Sequence, residues 1–440
     1  MDDSRKKQPD LLMPLLAAWP AELAGQSVEA GLSGGLDSMV LLDVLWRCRE
    51  QRHFHLSAVH VHHGLSPHAD AWAQHCAGWC AARQIPLRIE RVSVRPEGGE
   101  SLEAVARRER YRVYARTSAG VVALAHHLDD QSETVLLQLL RGGGPHALAA
   151  MPVWRALDER VHLWRPLLGW TRGELEQYAA ARALSWVTDE SNADTRWRRN
   201  LLRHDILPLI AAAQPDYRQH LQRTVQLMAQ AAEILDEVAT QDLAACLQQG
   251  RLLLPRFAAL SAARQRQLLV RWMAQLQAGD ASPDGVESFR QQLLQAGEDR
   301  HPALRLSGKT LFRYRDQVWA VASTAMALPD EQRARYLPAV GPEAFVGGRL
   351  QLIDHEQGVA HQLLLGGFSL RPRRGGERLP QAVGNKPVKT LLQEAGIPPL
   401  LRERWPLLYL ADGRLAAIPS VAVATDCRGE AGQWPVWLPE

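Results

Sequence analysis

The sequence is poor in the features that would tie it to a bilayer or to an oxidising compartment. No uninterrupted apolar run reaches the roughly 18 residues of a membrane span, which excludes a helical membrane protein at the level of pattern. The opening MDDSRKKQPD starts with acids and has neither the apolar stretch nor the cleavage pattern of a secretory signal, so a cytoplasmic location is expected. Cysteine is scarce: Cys48, Cys76, Cys80, Cys246 and Cys427 are odd in number and scattered over 440 residues, which argues against a disulfide framework. Cys76 and Cys80 share a helix face; a metal pair and buried thiols are both open readings, the second the commoner. Lysine is nearly absent, with Lys6, Lys7, Lys309, Lys386 and Lys389 the only five, and the phosphate loop G-x-x-x-x-G-K-[ST] is missing with it. A net charge of +3 is too small to announce a polyanionic partner by itself. Internal repeats and low-complexity tails are also missing.

What is present is an alternation. Between about residues 25 and 190, the apolar runs VEAGL, HLSAVHV, LRIERVSV, VVALAH and VHLWRPL alternate with segments whose apolar residues recur every three or four positions. That pattern predicts an α/β domain with a doubly wound, mostly parallel sheet over residues 1–214, whose ligands bind beyond the carboxyl ends of the strands. After Pro208 the chain turns rich in Gln, Ala and Arg, and a mainly helical domain is expected over 215–330, with only the short RLLL at 251–254 reading as extended before a hairpin-like alternation from about 302. A Pro/Gly-rich passage around 328–348 reads as a linker, and 349–440 as a small α+β domain with one helix, VKTLLQEAG.

Two polar clusters interrupt the apolar pattern of the first domain. SGGLDS, residues 33–38, stands where the first strand turns into a helix. A strand feeding a helix through glycines aims backbone N–H groups and the positive helix end at one point, where an anion can sit. Ser33, Gly34, Gly35, Leu36, Asp37 and Ser38 are therefore candidate nucleotide contacts. Asp37 would repel phosphate unless a divalent cation intervened, so Mg²⁺ bound at Asp37 together with ATP is expected. A plain helix cap uses the same residues and is compatible with that role. The second cluster is HHLDDQSET, 126–134, in which His126, Asp130 and Glu133 fall near one helix face. An imidazole beside two carboxylates can bind metal or move a proton, and a polar helix start is the plainer alternative. Arg107, in SLEAVARRERYR, is a candidate for contact with the triphosphate or its developing charge.

The SGGLDS loop resembles that of the ATP-splitting enzymes that release pyrophosphate and leave AMP on an oxygen. The ordered series SGGLDSMVLL, HVHHGL, EAVARRERY, AHHLDDQSETVLLQLLRGGG and DESNADTRWRRNLLRHDILP resembles the bacterial tRNA(Ile)-lysidine synthetases, and LRPRRGGERL and KPVKTLLQEAGIPPLLRERWPLL resemble their last domain. The resemblance spans most of the chain and is weakest across the helical middle. It implies ATP-dependent adenylation of the C2 oxygen of the wobble cytidine in an isoleucine tRNA with a CAU anticodon. Free lysine then displaces AMP to give lysidine. His126, Asp130 and Glu133 would position the base, bind metal or relieve the attacking amine of its proton. Arg196, Arg199, Asn200, Arg203 and His204 would grip RNA backbone near the pocket, and Arg371, Arg373, Arg374, Lys386 and Lys389 would hold a more distant part of the tRNA. Oligomeric state, a homodimer included, is not legible in the residues. A tRNA thiolase is the nearest rival, but sulfur transfer calls for a reactive cysteine or a C-x-x-C pair that the sequence does not supply. A non-catalytic RNA-binding module would have no need of both polar clusters.

Overall fold

The computed structural model describes the chain except residues 1–9, 21–22, 24, 97, 99, 191–197, 298–299, 324–335, 338–342, 346–347, 431 and 440. It divides into two compact units, Met1–Glu233 and Ile234–Glu440.

The first unit is built on six strands, β1 Ser27–Gly31, β2 His55–His62, β3 Leu87–Arg91, β4 Val121–Ala123, β5 Trp154–Ala156 and β6 His162–Trp164. Their spatial order is β3-β2-β1-β4-β6-β5, and every pairing is parallel except that of β5 with β6. The helices are α1 Leu12–Ala17, α2 Leu36–Arg52, α3 Ala69–Ala81, α4 Leu102–Ala115, α5 Leu128–Leu140, α6 Pro145–Leu148, α7 Arg172–Ala181, α8 Arg198–Leu201, α9 Leu207–Ala213 and, as far as Glu233, α10 Tyr217–Cys246. A single wide turn of π type, Leu202–Ile206, joins α8 to α9. The doubly wound reading holds because strands buried on both faces carry near-continuous apolar runs.

Two cores sandwich the sheet. One face packs Val28, Ala30 and Ala58 against Met39, Leu41, Leu42 and Leu45 of α2; the other packs Val59, Val122 and Leu163 against Val113 and Tyr114 of α4. Glu29, buried between apolar neighbours in β1, is accommodated because Arg88 of β3 donates Nη2 to it at 2.9 Å and Nε at 3.3 Å. Chain order runs outward from β1 to β3 on one side and resumes with β4 on the other. The switch point of the sheet therefore lies between β1 and β4, where open α/β sheets bind ligands.

In the second unit, an antiparallel sheet runs in the order Leu247–Gln248, Arg251–Leu253, Gln317–Ala322, Lys309–Tyr314 and Ala303–Arg305, accompanied by the helices Leu254–Ala258, Ala262–Gln275 and Pro283–Gln295. The expected helical middle thus carries a sheet as well. Its hairpin is the one read from the alternation near 302, and RLLL supplies the strand beside it. The last segment is β-rich, with Gly348–Ala360 paired to Gly432–Pro439 across the whole segment. The helix expected at VKTLLQEAG runs Val388–Glu394. Most of the proposed linker at 328–348 lies outside the described residues. Among the described residues, no helix is long and apolar enough to cross a membrane.

Candidate active site

The loop after β1 is fastened from within. Ser38 accepts hydrogen bonds from the amides of Ser33 at 3.2 Å and Gly34 at 3.1 Å and donates its own hydroxyl proton to the Gly35 carbonyl at 2.9 Å. With that proton committed, Ser38 shapes the loop. The Gly35 amide donates to Ser33 Oγ at 3.3 Å. Gly34 has φ +89, a conformation that favours glycine, and a Cβ there would stand 3.1 Å from both Cys76 Sγ and Val187 Cγ2. The Val187 amide donates to the Gly34 carbonyl at 2.9 Å, closing the loop from behind. Gly35 is the N-cap of α2, so the positive end of a 17-residue helix opens at this turn.

Across the switch point, α5 starts in the same way after β4, and its first turn carries the second cluster. Asp130 accepts from the His127 amide at 3.1 Å. The His127 ring is 1% exposed and lies among three carboxylates: Nε2 is 3.7 Å from Asp37 and 3.5 Å from Asp130, and Nδ1 is 3.8 Å from Asp129. His127 is thus the group through which Asp37 and Asp130, 93 positions apart in their numbering, face one another. Of the two adjacent histidines it is His127, not the expected His126, whose ring lies among these carboxylates, and only the strand-to-helix register separates the two. Arg172, at the start of α7, approaches Asp37 at 3.6 Å and gives its amide to Asp129 at 2.8 Å. Arg218 of α10 pairs with Asp129 at 2.6 Å. Neither arginine was signalled by a motif.

Burial pushes the Asp37 carboxyl above the usual aspartate range, and the positive groups around it only partly offset this. Its Oδ1 is buried without a partner. A carboxylate in that state fits a cation brought by a nucleotide. Among the described residues no group of three or more His, Cys, Asp or Glu is arranged to hold a metal by itself, so phosphate oxygens would have to supply further ligands. Asp130 shows the opposite balance. Burial raises its carboxyl, but His127, Arg199 and the hydrogen bond from the His127 amide leave it below the ordinary value. His126 is pushed down to about 3 by burial, against the attraction of Asp130, and its Nδ1 has no partner, so it is neutral at physiological pH.

Glu133 is fully buried, and its two oxygens accept from Arg203 Nε and Arg199 Nε, each at 2.6 Å. The same two guanidinium groups reach Asp130 with Nη2, at 3.5 Å from Arg199 and 3.2 Å from Arg203. Two residues expected on RNA thus bind Asp130 and Glu133, joining α8 and the π turn to α5. Asn200 and His204 lie in the same stretch, whereas Arg196 falls outside the described residues. Arg107, exposed on α4, donates to the Tyr111 hydroxyl at 3.0 Å, and its charge is among those that disfavour protonation of His126.

In the second unit Arg371 stacks over Tyr409 at 4.6 Å, Arg373 pairs with Glu377 at 3.5 Å and Lys386 with Glu394 at 2.6 Å, while Arg374 and Lys389 are exposed. All five cysteines are free and buried, and burial raises the thiols of Cys76 to about 12 and Cys80 to about 11, the reverse of what sulfur transfer needs.

Known families match three stretches of the chain. Residues 13–210 match the PP-loop domain, 252–319 the TilS substrate binding domain and 368–438 the TilS substrate C-terminal domain. The chain is 51% identical to the tRNA(Ile)-lysidine synthase of Chromobacterium violaceum over 97% of its own length and 98% of that protein. It is 40% identical to the enzyme of the same name from Ralstonia nicotianae, over 94% of this chain and 93% of that one. Among solved structures, a U34-tRNA thiolase from Methanococcus maripaludis is similar at 18% identity and TM-score 0.42, covering 50% of this chain and 78% of that one. The full-length identity to the two synthases shows that this chain belongs to the tRNA(Ile)-lysidine synthase family.

Proposed function

We propose that the chain uses Mg²⁺-ATP to adenylate the C2 oxygen of the wobble cytidine in an isoleucine tRNA with a CAU anticodon, and that the ε-amine of free lysine then displaces AMP to give lysidine. In the first step the bond between the α-phosphorus and the bridging oxygen breaks, pyrophosphate leaves, and a new bond joins that phosphorus to the base oxygen. In the second, nitrogen bonds to C2, the C2–O bond breaks with AMP as leaving group, and the amine gives up protons. The setting is cytoplasmic.

Supporting this reading is the meeting of Asp37 and Asp130 across His127 at the switch point of the sheet. The N-terminus of α2, stiffened by Ser38, suits the phosphates of a nucleotide. Asp37 would hold Mg²⁺, which when bound offsets triphosphate charge. Asp130, kept ionised, suits pairing with and positioning an incoming ammonium, which sheds its protons to water as nitrogen bonds to C2. Neutral His126 can exchange hydrogen bonds with a base edge. Glu133, held by two arginines, serves to orient rather than to react.

The test is to supply the purified chain with unmodified tRNA, ATP, Mg²⁺ and each labelled amino acid in turn. Lysine alone should become RNA-bound, and Asp130→Ala should lower that rate by about 100-fold or more. Labelling by another amino acid, or lysine labelling that survives Asp130→Ala, would contradict the proposal.

A further inference from the structure

Arg165 follows β6 directly, at the carboxyl end of the sheet, and is 2% exposed. Its Nη1 donates to the Pro152 carbonyl at 2.8 Å, and its Nε is buried with no partner. Among the described residues no carboxylate pairs with it. The groups around it are Tyr111, whose hydroxyl faces the guanidinium, and two more cations, Arg155 and Arg107. Both of those are exposed and lie over the Tyr111 ring, at 5.6 Å and 4.9 Å from its centroid. The neutral ring of His126 feels the charges of Arg165 and Arg107, so this cluster borders the reaction centre.

A buried guanidinium without a counter-anion is costly, and burial with two neighbouring arginines does lower its pKa. The fold gains nothing evident from the arrangement, whereas a bound anion would complete it. Free lysine must present its ε-amine to the activated base and so must be held elsewhere, and it carries an α-carboxylate that nothing described above receives. A planar guanidinium forks onto a carboxylate with two donors. A phosphodiester within an RNA chain is gripped by exposed cations that reach out to it, whereas a carboxylate at the end of a small molecule suits a single buried cation with exposed arginines nearby.

We propose that Arg165, with Tyr111 and Arg155, forms a subsite for the α-carboxylate of the amino-acid substrate and thereby selects a free amino acid over a simple diamine. This rests on the lysine-dependent reading above. The test compares lysine with 1,5-diaminopentane, which keeps the reacting amine and lacks the carboxylate, in the wild type and in Arg165→Lys. The variant keeps a positive charge and loses the fork. Its KM for lysine should rise by roughly 10-fold or more, with KM for tRNA and ATP within about 2-fold, and its preference for lysine over the diamine should fall by the same factor. Tyr111→Phe, which leaves the buried cation in place, should raise the lysine KM by a few-fold and serves if Arg165→Lys fails to fold. A rise in tRNA KM instead would assign the anion to an RNA phosphodiester and overturn the proposal while sparing the function. Unchanged constants in both variants would also overturn it. A wild type that joins no lysine to RNA would mean that the function itself had failed.

Discussion

At the scale of single residues, the site depends on ionisable groups held away from their ordinary states, and His126 makes this measurable. Its folded pKa, about 3, lies below the ordinary 6.5 because burial disfavours the imidazolium, so the native state resists a proton that the unfolded chain accepts. Stability therefore falls as pH drops through the window from about 6.5 toward about 3. His126→Asn should flatten that slope: denaturant titrations at pH 7 and pH 5 should show a smaller loss for the variant than for the wild type, and equal losses would place the ring in a less buried setting. Asp37, Asp130 and Glu133 were legible because each stood in a polar cluster interrupting an apolar pattern. His127 and Arg165 were not. The first is indistinguishable from His126 until the register of α5 is known, and the second sits inside an apolar run, VHLWRPL, where a sequence reading expects only core.

At the scale of elements, the contact of α8 and the π turn with α5 runs through Glu133. Removing one partner of a buried pair costs more than the pair contributes, since the other charge is left without compensation. Arg203→Ala should therefore lower stability by about 3 kcal/mol in equilibrium unfolding, and a loss near zero would mean that water already replaces the pair. The parallel strands and their helices were readable because burial on both faces or on one face writes a period into the sequence. Strand β5 was not, since its Trp154-Arg155-Ala156 is short, half exposed and without alternation. The pairing of Gly348–Ala360 with Gly432–Pro439 was equally hidden, because a local pattern carries no record of a partner so distant in the chain.

At the scale of the whole molecule, the proposed function places the chemistry in the α/β unit and leaves the cations of the second unit as candidate contacts for tRNA. Those cations are unequal. Arg373 and Lys386 already have carboxylate partners, whereas Arg374 and Lys389 are exposed. Replacing both exposed residues with glutamine should reduce the slope of log affinity for tRNA against log salt by roughly 1.5 to 2, while Arg373→Gln alone should change it little. An unchanged slope in the double variant would remove this face from the RNA contact. Shifts in composition and period divide the sequence near residues 215 and 330. Of the sheet in the middle region, the hairpin and RLLL were readable as extended, whereas Leu247–Gln248, two residues directly after α10, carries no period of its own.

The most direct measurement follows the phosphates of ATP. With unmodified tRNA and lysine present, label on the α-phosphate should leave as AMP and label on the β- and γ-phosphates as pyrophosphate, one of each for every lysine joined to RNA. Release of ADP and orthophosphate, or lysine joined without nucleotide cleavage, would contradict a loop built to split ATP between its α- and β-phosphates.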